Sequence, residues 1–202
     1  MGHADSGERL IRLASKQSIV TTRDVVRAGM HRQTLSRLVK AGRLERIARG
    51  QYRLPDQQLT EHHGFAVAAR AVPRGVICLL SALSFHGIGT QLPSQVWMAV
   101  DRRARRPHLQ FPPLRIVRFT GDALNKGVEL HPIEGQDVPI YSVAKTLADA
   151  FKFRNKIGID IALEALREAW RDRRFTMDEL ERYARICRVE RVMRPYLEAL
   201  VA

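Results

Sequence analysis

Residues 18–55 read SIVTTRDVVRAGMHRQTLSRLVKAGRLERIARGQYRLP, and this stretch decides the predicted fold. The Thr pair at 21–22 begins a short helix, and the Gly29-Met30 turn separates it from a second helix over residues 31–41. Two short strands follow, joined by a turn at Ala48-Arg49-Gly50. A helix pair around a tight turn, followed by a β-hairpin, is typical of a winged helix-turn-helix.

The second helix has an apolar face and a polar face. Leu35, Leu38 and Val39 form one stripe at about 100° per residue. Gln matches the edge of adenine, Arg matches guanine and Lys matches phosphate, so the polar face suits the DNA major groove, although any surface helix also has a solvated face. The predicted groove residues are Arg32, Gln33, Ser36, Arg37 and Lys40. The predicted wing residues, which would meet phosphates or the minor groove, are Arg46, Arg49 and Arg53.

The chain is strongly basic, and the excess lies mostly near its start. The 202 residues carry a formal net charge of +13. Residues 1–54 hold 12 of the 34 Lys and Arg residues but only 4 of the 21 Asp and Glu residues, which gives +8 there and +5 in the rest. This distribution indicates a polyanionic partner. A generally basic set of solvated charges is the alternative explanation.

The composition changes after the hairpin, and we predict a domain boundary between residues 57 and 58. Residues 1–57 would form the winged helix-turn-helix. Residues 58–202 would form an α+β domain with a small sheet and a helical C-terminal half. The predicted strands lie in residues 95–101, 114–119, 126–133 and 138–142, and the later helices cover 143–154, 159–171 and 176–188, with a last helix ending near residue 200.

Three segments of the sequence resemble the AbiEi family of antitoxins. They are RGQYRLP at residues 49–55, LSALSFHGIG at residues 80–89, and VPIYSVAKTLADAFKFRNKIGIDIALEALREA at residues 138–169. The third segment contains the more specific block, Ala144-Lys145-Thr146-Leu147-x-Asp149. Together these segments extend the resemblance over nearly the whole chain.

The resemblance implies an antitoxin and transcriptional autorepressor of a type IV toxin–antitoxin system, linked to phage defence. Such a protein binds inverted repeats of double-stranded DNA upstream of its own operon. The toxin that it counters is similar to a nucleotidyltransferase, and the two are not expected to form a stable complex. We expect two copies on one inverted repeat, because one winged helix makes too few contacts for operator specificity.

A second basic surface is a further hypothesis for the C-terminal domain. It would contact flanking DNA, RNA or an acidic toxin surface. The alternative is that the cations after residue 143 complement a helix dipole, with Asp149 in a local pair with Lys145. The residues of this surface are Arg102, Arg103, Arg105, Arg106, Lys145, Lys152, Arg154 and Lys156.

The sequence argues against an enzyme, a metal site and a cofactor. Asp101, Glu129 and His131 at strand positions resemble a metal-dependent nuclease only weakly, because the acidic-x-lysine doublet is absent. Cys78 and Cys187 each lie in an apolar pattern and are predicted to be buried thiols. No apolar run could span a membrane, so a cytoplasmic protein is expected. A DNA-binding repressor, an antitoxin that grips its toxin directly and a nuclease remain as hypotheses, in that order.

Overall fold

A computed structural model of the chain describes residues 2–17, 19–56, 60–107, 109 and 111–201. These residues form two compact units. The first comprises Met1–Pro73, Pro107–Pro113 and His131–Val138, and the second comprises Arg74–Arg106, Leu114–Leu130 and Pro139–Ala202. The predicted boundary between residues 57 and 58 lies outside the described residues and stays a prediction.

The winged helix-turn-helix begins the first unit. Its elements are α1 (Gly2–Lys16), β1 (Val20–Thr21), α2 (Thr22–Arg27), α3 (Gln33–Lys40), β2 (Glu45–Ala48) and β3 (Gln51–Arg53). The strands form one antiparallel sheet in the order β1-β3-β2. The core beneath the helices consists of Leu10, Ala14, Val20, Val25, Met30, Leu35, Leu38 and Leu44.

Helix α2 begins at a reciprocal cap. The Thr21 hydroxyl accepts the N–H of Asp24 at 3.2 Å, and the Asp24 carboxylate accepts the N–H of Thr21 at 2.9 Å. This arrangement satisfies two backbone donors that a helix start leaves without partners. After α2, the chain turns at Gly29, where φ is +70° and a side chain would be strained.

The first unit also contains α4 (His63–Ala71), which packs against the winged helix. Arg70 of α4 donates to Asp24 at 2.7 Å, to Gln17 at 2.8 Å and to the carbonyl of Ile19 at 3.2 Å. The buried Gln51 of β3 donates to the carbonyl of Val67 at 3.3 Å. Helix α4 is therefore a structural part of this unit.

The remaining elements lie after residue 75. They are β4 (Val76–Ile77), α5 (Leu79–Phe85), β5 (Val96–Asp101), β6 (Leu114–Phe119), α6 (Asp122–Asn125), β7 (Val128–Ile133), β8 (Gln136–Tyr141), α7 (Val143–Lys152), α8 (Arg154–Ile157), α9 (Ile159–Arg171), α10 (Met177–Cys187) and α11 (Glu190–Val201). The strands form one sheet in the order β6-β5-β4-β8-β7. Strands β5 and β6 are parallel, and the twelve residues 102–113 make the crossover between them.

The core of the second unit lies between this sheet and the C-terminal helices. Helix α7 is almost wholly buried, from Val143 to Phe151, and packs against α5, α9 and α10. The predicted burial of both cysteines is confirmed, and α10 begins at a capping box formed by Thr176 and Glu179. The predicted fold class, α+β with a helical C-terminal half, is likewise confirmed.

One predicted helix is wrong in its extent. Residues 143–154 were expected to be continuous, but α7 ends at Lys152, and Phe153 takes φ −101° and ψ 15° before α8 begins. The sequence pattern missed this break because the apolar periodicity runs through it. Lys145 and Lys152 therefore lie on one helix and Lys156 on another.

Candidate nucleic-acid interface

Helix α3 has one face buried in the core and an exposed polar face on the opposite side. Thr34, Leu35 and Leu38 are buried in the winged-helix core. The opposite face carries exposed side chains at positions i, i+3, i+4 and i+7, which lie on one side of a helix. These residues are Gln33, Ser36, Arg37 and Lys40, and the exposed Arg32 is the N-cap of the same helix.

Arg37 lies at the margin of this stripe, next to α1. Its Nη2 atom is 3.5 Å from the position that a Cβ atom on Gly7 would occupy. Gln33 begins the helix at the other end from Lys40, with its backbone N–H bonded to Nδ1 of His31 at 3.3 Å. Gln33 is exposed, and its side-chain amide carries the donor and acceptor that pair with an adenine edge.

The wing brings its three arginines into different environments. Arg53 forms an ion pair with Glu45 at 2.8 Å, and Nε of Arg46 donates to the carbonyl of Ala48 at 3.4 Å. Arg49 is exposed at the turn, beside Gly50 with φ +75°. Among the described residues no carboxylate forms an ion pair with Arg49, whereas Arg53 is paired with Glu45.

Two further arginines on α2 were missed by the sequence analysis. Arg23 and Arg27 are exposed and four residues apart, so they lie on one side of α2. The same spacing is readable in the sequence TRDVVR. The DNA contacts were predicted on the second helix and the wing alone, so these two arginines were not among them.

A family model described as "Transcriptional regulator, AbiEi antitoxin" matches the part of the chain that contains α2, α3 and the wing. Residues 8–55 match the AbiEi antitoxin family of transcriptional regulators. The match confirms the predicted resemblance from Glu8, within α1, to the end of the winged helix. The resemblance of residues 80–89 and 138–169 to AbiEi proteins lies outside the matched segment and stays a prediction.

The fold also resembles that of a solved structure. The crystal structure of the RV2827C protein from Mycobacterium tuberculosis superposes with a TM-score of 0.59 and 15% sequence identity. The similarity covers 89% of this chain and 71% of that chain. At this identity the likeness shows the fold alone. No curated protein sequence matches the chain.

Outside the AbiEi-matching segment, residues 101–106 form a turn after β5, called here the arginine turn. Arg102, Arg103, Arg105 and Arg106 are all exposed. The Asp101 carboxylate accepts the N–H of Arg103 at 2.8 Å, and Arg118 donates to the carbonyls of Asp101 and Ala104 at 2.9 and 2.6 Å. The turn therefore holds its four outer arginines in solvent, and their role in a second basic surface stays a prediction.

The cations after α7 have local partners. Lys152 donates to the carbonyl of Cys187 at 2.8 Å, and Arg154 donates to the carbonyl of Phe151 at 3.0 Å. Lys156 lies 5.5 Å from the ring centre of Phe153. Arg154 thus satisfies a carbonyl at the end of α7, as the helix-dipole alternative expects.

The assignment of Lys145 to a basic surface is wrong. Its side chain is fully buried, and its ammonium lies 2.5 Å from the carboxylate of Asp149, which is also fully buried. The ammonium also faces the ring of Tyr141, with 4.0 Å to the ring centre. The error arises because an i, i+4 Lys–Asp pair has the same sequence pattern on a solvated and on a buried helix face.

The buried pair continues into a polar cluster. The Cys187 thiol donates to Asp149 at 3.2 Å, and the hydroxyl of Tyr141 donates to the carbonyl of Leu124 at 2.7 Å. Burial raises the pKa of Asp149, against the opposing charge of Lys145. Burial likewise raises the pKa of Cys187 to about 12 and the pKa of Cys78 well above its usual value. Both cysteines are therefore neutral at physiological pH and weak nucleophiles.

Asp101 and Glu129 do not form a recognisable metal centre. Asp101 caps the arginine turn through its bond to the N–H of Arg103. Within the ranges that the structure describes, no three His, Cys, Asp or Glu residues are grouped so that they could hold a metal ion. Across the same ranges, no helix is both long enough and apolar enough to cross a membrane.

Proposed function

We propose that the protein is a sequence-specific DNA-binding autorepressor and the antitoxin of a type IV toxin–antitoxin system, acting in the cytoplasm. The observation that carries the proposal is the exposed stripe of α3 inside the segment that matches the AbiEi family. This helix would enter the major groove while Arg49 of the wing meets the backbone. Gln33, Ser36 and Arg37 are the residues proposed to face the bases, Lys40 is proposed to meet a phosphate, and Arg32 lies where the helix start can reach either.

Gln33→Ala should relax base preference. A glutamine that pairs with an adenine edge contributes about 1–3 kcal/mol of discrimination against the wrong base. We expect the variant to lose affinity for the upstream operator but to keep its affinity for a scrambled duplex of the same length. Mobility shifts on both duplexes at one fixed salt concentration measure this difference.

Two comparisons make this test specific. Gln95→Ala removes the same amide from an exposed position of the second unit and should leave both affinities unchanged. Arg49→Ala should weaken both duplexes alike, because phosphate contacts carry no sequence information. An equal loss on both duplexes for Gln33→Ala would overturn its assignment as a base-reading residue.

We further propose that two copies of the protein occupy one inverted repeat. A single winged helix reads too few base pairs for operator-grade specificity, and a two-fold site offers each copy the same half-site. The spacing of the half-sites should be close to one or a few helical turns. Halving the palindrome should therefore remove most of the specific affinity.

The antitoxin activity is proposed to oppose a nucleotidyltransferase-like toxin without a stable complex. We expect co-expression to restore growth that the toxin of the adjacent gene arrests, while the untagged toxin fails to co-purify. Restored growth with strong co-purification would favour an antitoxin that binds its toxin directly. Unrelieved growth arrest would count against antitoxin activity of either kind.

We propose that the chain has no catalytic activity of its own. Two observations support this proposal. The Asp101 carboxylate accepts the N–H of Arg103, and the Lys145–Asp149 pair is buried where a substrate could not reach it. Supercoiled plasmid incubated with the protein and Mg²⁺ or Mn²⁺ should stay intact. Cleavage that Asp101→Ala abolishes would revive the nuclease hypothesis.

A further inference from the structure

An open cleft of about 450 Å³ lies along α2 in the first compact unit. Its walls are formed by Thr22, Arg23, Val26 and Arg27 of α2, and by Arg32 at the start of α3. Arg23 and Arg27 lie one helical turn apart, so their side chains project from the same side of α2. Three arginines therefore line one cavity.

These guanidinium groups lack the acidic partners that other arginines of the unit have. Arg43 pairs with Glu8 at 2.7 Å, Arg53 pairs with Glu45 and Arg70 pairs with Asp24. Among the residues that the structure describes, no carboxylate forms an ion pair with an arginine of the cleft. Three like charges around one cavity repel each other, and a bound anion would relieve this repulsion.

The cleft also has an apolar side chain between its charges. Val26 is 50% exposed, and Arg23 and Arg27 flank it on α2. An exposed valine gains nothing from a bare inorganic anion. A ligand with both an anionic group and a carbon face, such as a sugar phosphate, would cover Val26 and neutralise the arginines.

The cleft lies beside the proposed DNA-binding elements. The N–H of Thr22 donates to the carbonyl of Gly50 at 3.0 Å, so the cleft wall is attached to the wing turn that carries Arg49. On its other side the cleft is bounded by Arg32, which begins the recognition helix. In helix-turn-helix proteins the first helix of the motif crosses the DNA backbone.

We propose that this cleft binds the sugar–phosphate backbone of one DNA strand, with Arg23 and Arg27 on phosphates and Val26 against deoxyribose. The proposal rests on the DNA-binding function and adds two residues that the sequence analysis did not nominate. Contacts of this kind position the protein and supply affinity without base preference.

The test compares Arg27→Gln with Arg43→Gln, which removes the same charge from an arginine already paired with Glu8. If Arg27 contacts one phosphate, its loss should reduce the slope of log affinity against log salt concentration by about 1. The corresponding loss of affinity is about tenfold near 0.1 M salt, equal for operator and scrambled duplexes. Arg43→Gln should change the slope and both affinities little. Thermal melting of each variant verifies that it is folded.

A chemical change in the DNA, combined with the Arg27→Gln substitution, identifies the phosphate that Arg27 contacts. Operator duplexes with one neutral methylphosphonate linkage at each successive position are titrated with wild-type protein and with Arg27→Gln. At the linkage that Arg27 contacts, the two changes should be non-additive, because the second removes an interaction already lost. Additive losses at every linkage would overturn the backbone contact.

The outcomes separate this proposal from the function on which it rests. If the wild-type protein prefers no duplex over another, the repressor proposal fails, whatever Arg27 does. If the wild type binds its operator and Arg27→Gln binds equally well with an unchanged salt slope, the cleft proposal alone fails. Binding of a free deoxynucleoside monophosphate that depends on Arg27, with unchanged duplex affinity, would make the cleft a small-ligand site and overturn the backbone assignment.

Discussion

Lys145→Met should lower the free energy of unfolding of the second compact unit by about 3–5 kcal/mol, the cost of leaving one member of a buried ion pair without its partner. Lys145 and Asp149 are both fully buried and 2.5 Å apart. Methionine fills a similar volume but cannot neutralise the carboxylate. Among the described residues, the Cys187 thiol would then be the one side-chain donor left to Asp149.

The measurement is urea unfolding followed by tryptophan fluorescence. The chain has two tryptophans, Trp97 and Trp170, and both lie in the second unit, so the signal reports on that unit. Lys126→Met, at an exposed position of the same unit, is the matched control and should shift the unfolding midpoint little. An equal effect of both variants would show that Lys145 acts as an ordinary surface charge.

A double variant separates the ion pair from simple loss of packing. Lys145→Met with Asp149→Leu replaces the buried pair by apolar side chains, which removes the uncompensated charge and should recover most of the lost stability. The recovery should be incomplete if the bond of Asp149 to Cys187 contributes to the position of α10. A double variant less stable than Lys145→Met alone would contradict the assigned role of the pair.

The sequence was sufficient wherever a local rule determined the structure. Thr21 caps the start of a helix as predicted, since the first N–H groups of a helix need side-chain acceptors. The hairpin turn at Ala48-Arg49-Gly50 follows from the positive φ that Gly50 allows. The same rules predicted which face of α3 is exposed, and therefore most of the candidate interface.

The sequence was insufficient wherever a side chain's environment depends on distant residues. Lys145 is buried because α5, α9 and α10 pack around α7, and no local pattern distinguishes this from a solvated position. The cleft beside α2 was missed for a related reason. Arg23 and Arg27 line a cavity together with Arg32. The turn at Gly29 brings Arg32 close to them, and this proximity cannot be read from the local sequence.

Helix α4 is the clearest example of a long-range contact that sequence composition concealed. The change in composition near residue 57 suggested that the winged helix ends there. That boundary stays a prediction, and Arg70 reaches from α4 to Asp24, Gln17 and the Ile19 carbonyl. Asp24 is the residue that completes the cap of α2, so α4 stabilises the helix that lines the proposed backbone-binding cleft.

Arg70→Met should therefore destabilise the first compact unit by about 2–3 kcal/mol, because three partly buried acceptors lose their donor at once. The side chains of Arg70 and Asp24 are 23% and 17% exposed, so water can replace only part of the lost bonding. Hydrogen exchange of the α2 amides should speed up by the corresponding factor, about 30- to 150-fold. Arg74→Met, an exposed position just after α4, is the matched control.

The consequence for DNA binding follows from the same contact. If α2 frays when Asp24 loses Arg70, the cleft arginines and the start of α3 lose their fixed positions together. Affinity for operator and scrambled duplexes should then fall in parallel, whereas Gln33→Ala lowers operator affinity alone. Unchanged exchange in α2 with Arg70→Met would show that the cap at Thr21 holds the start of α2 without Arg70.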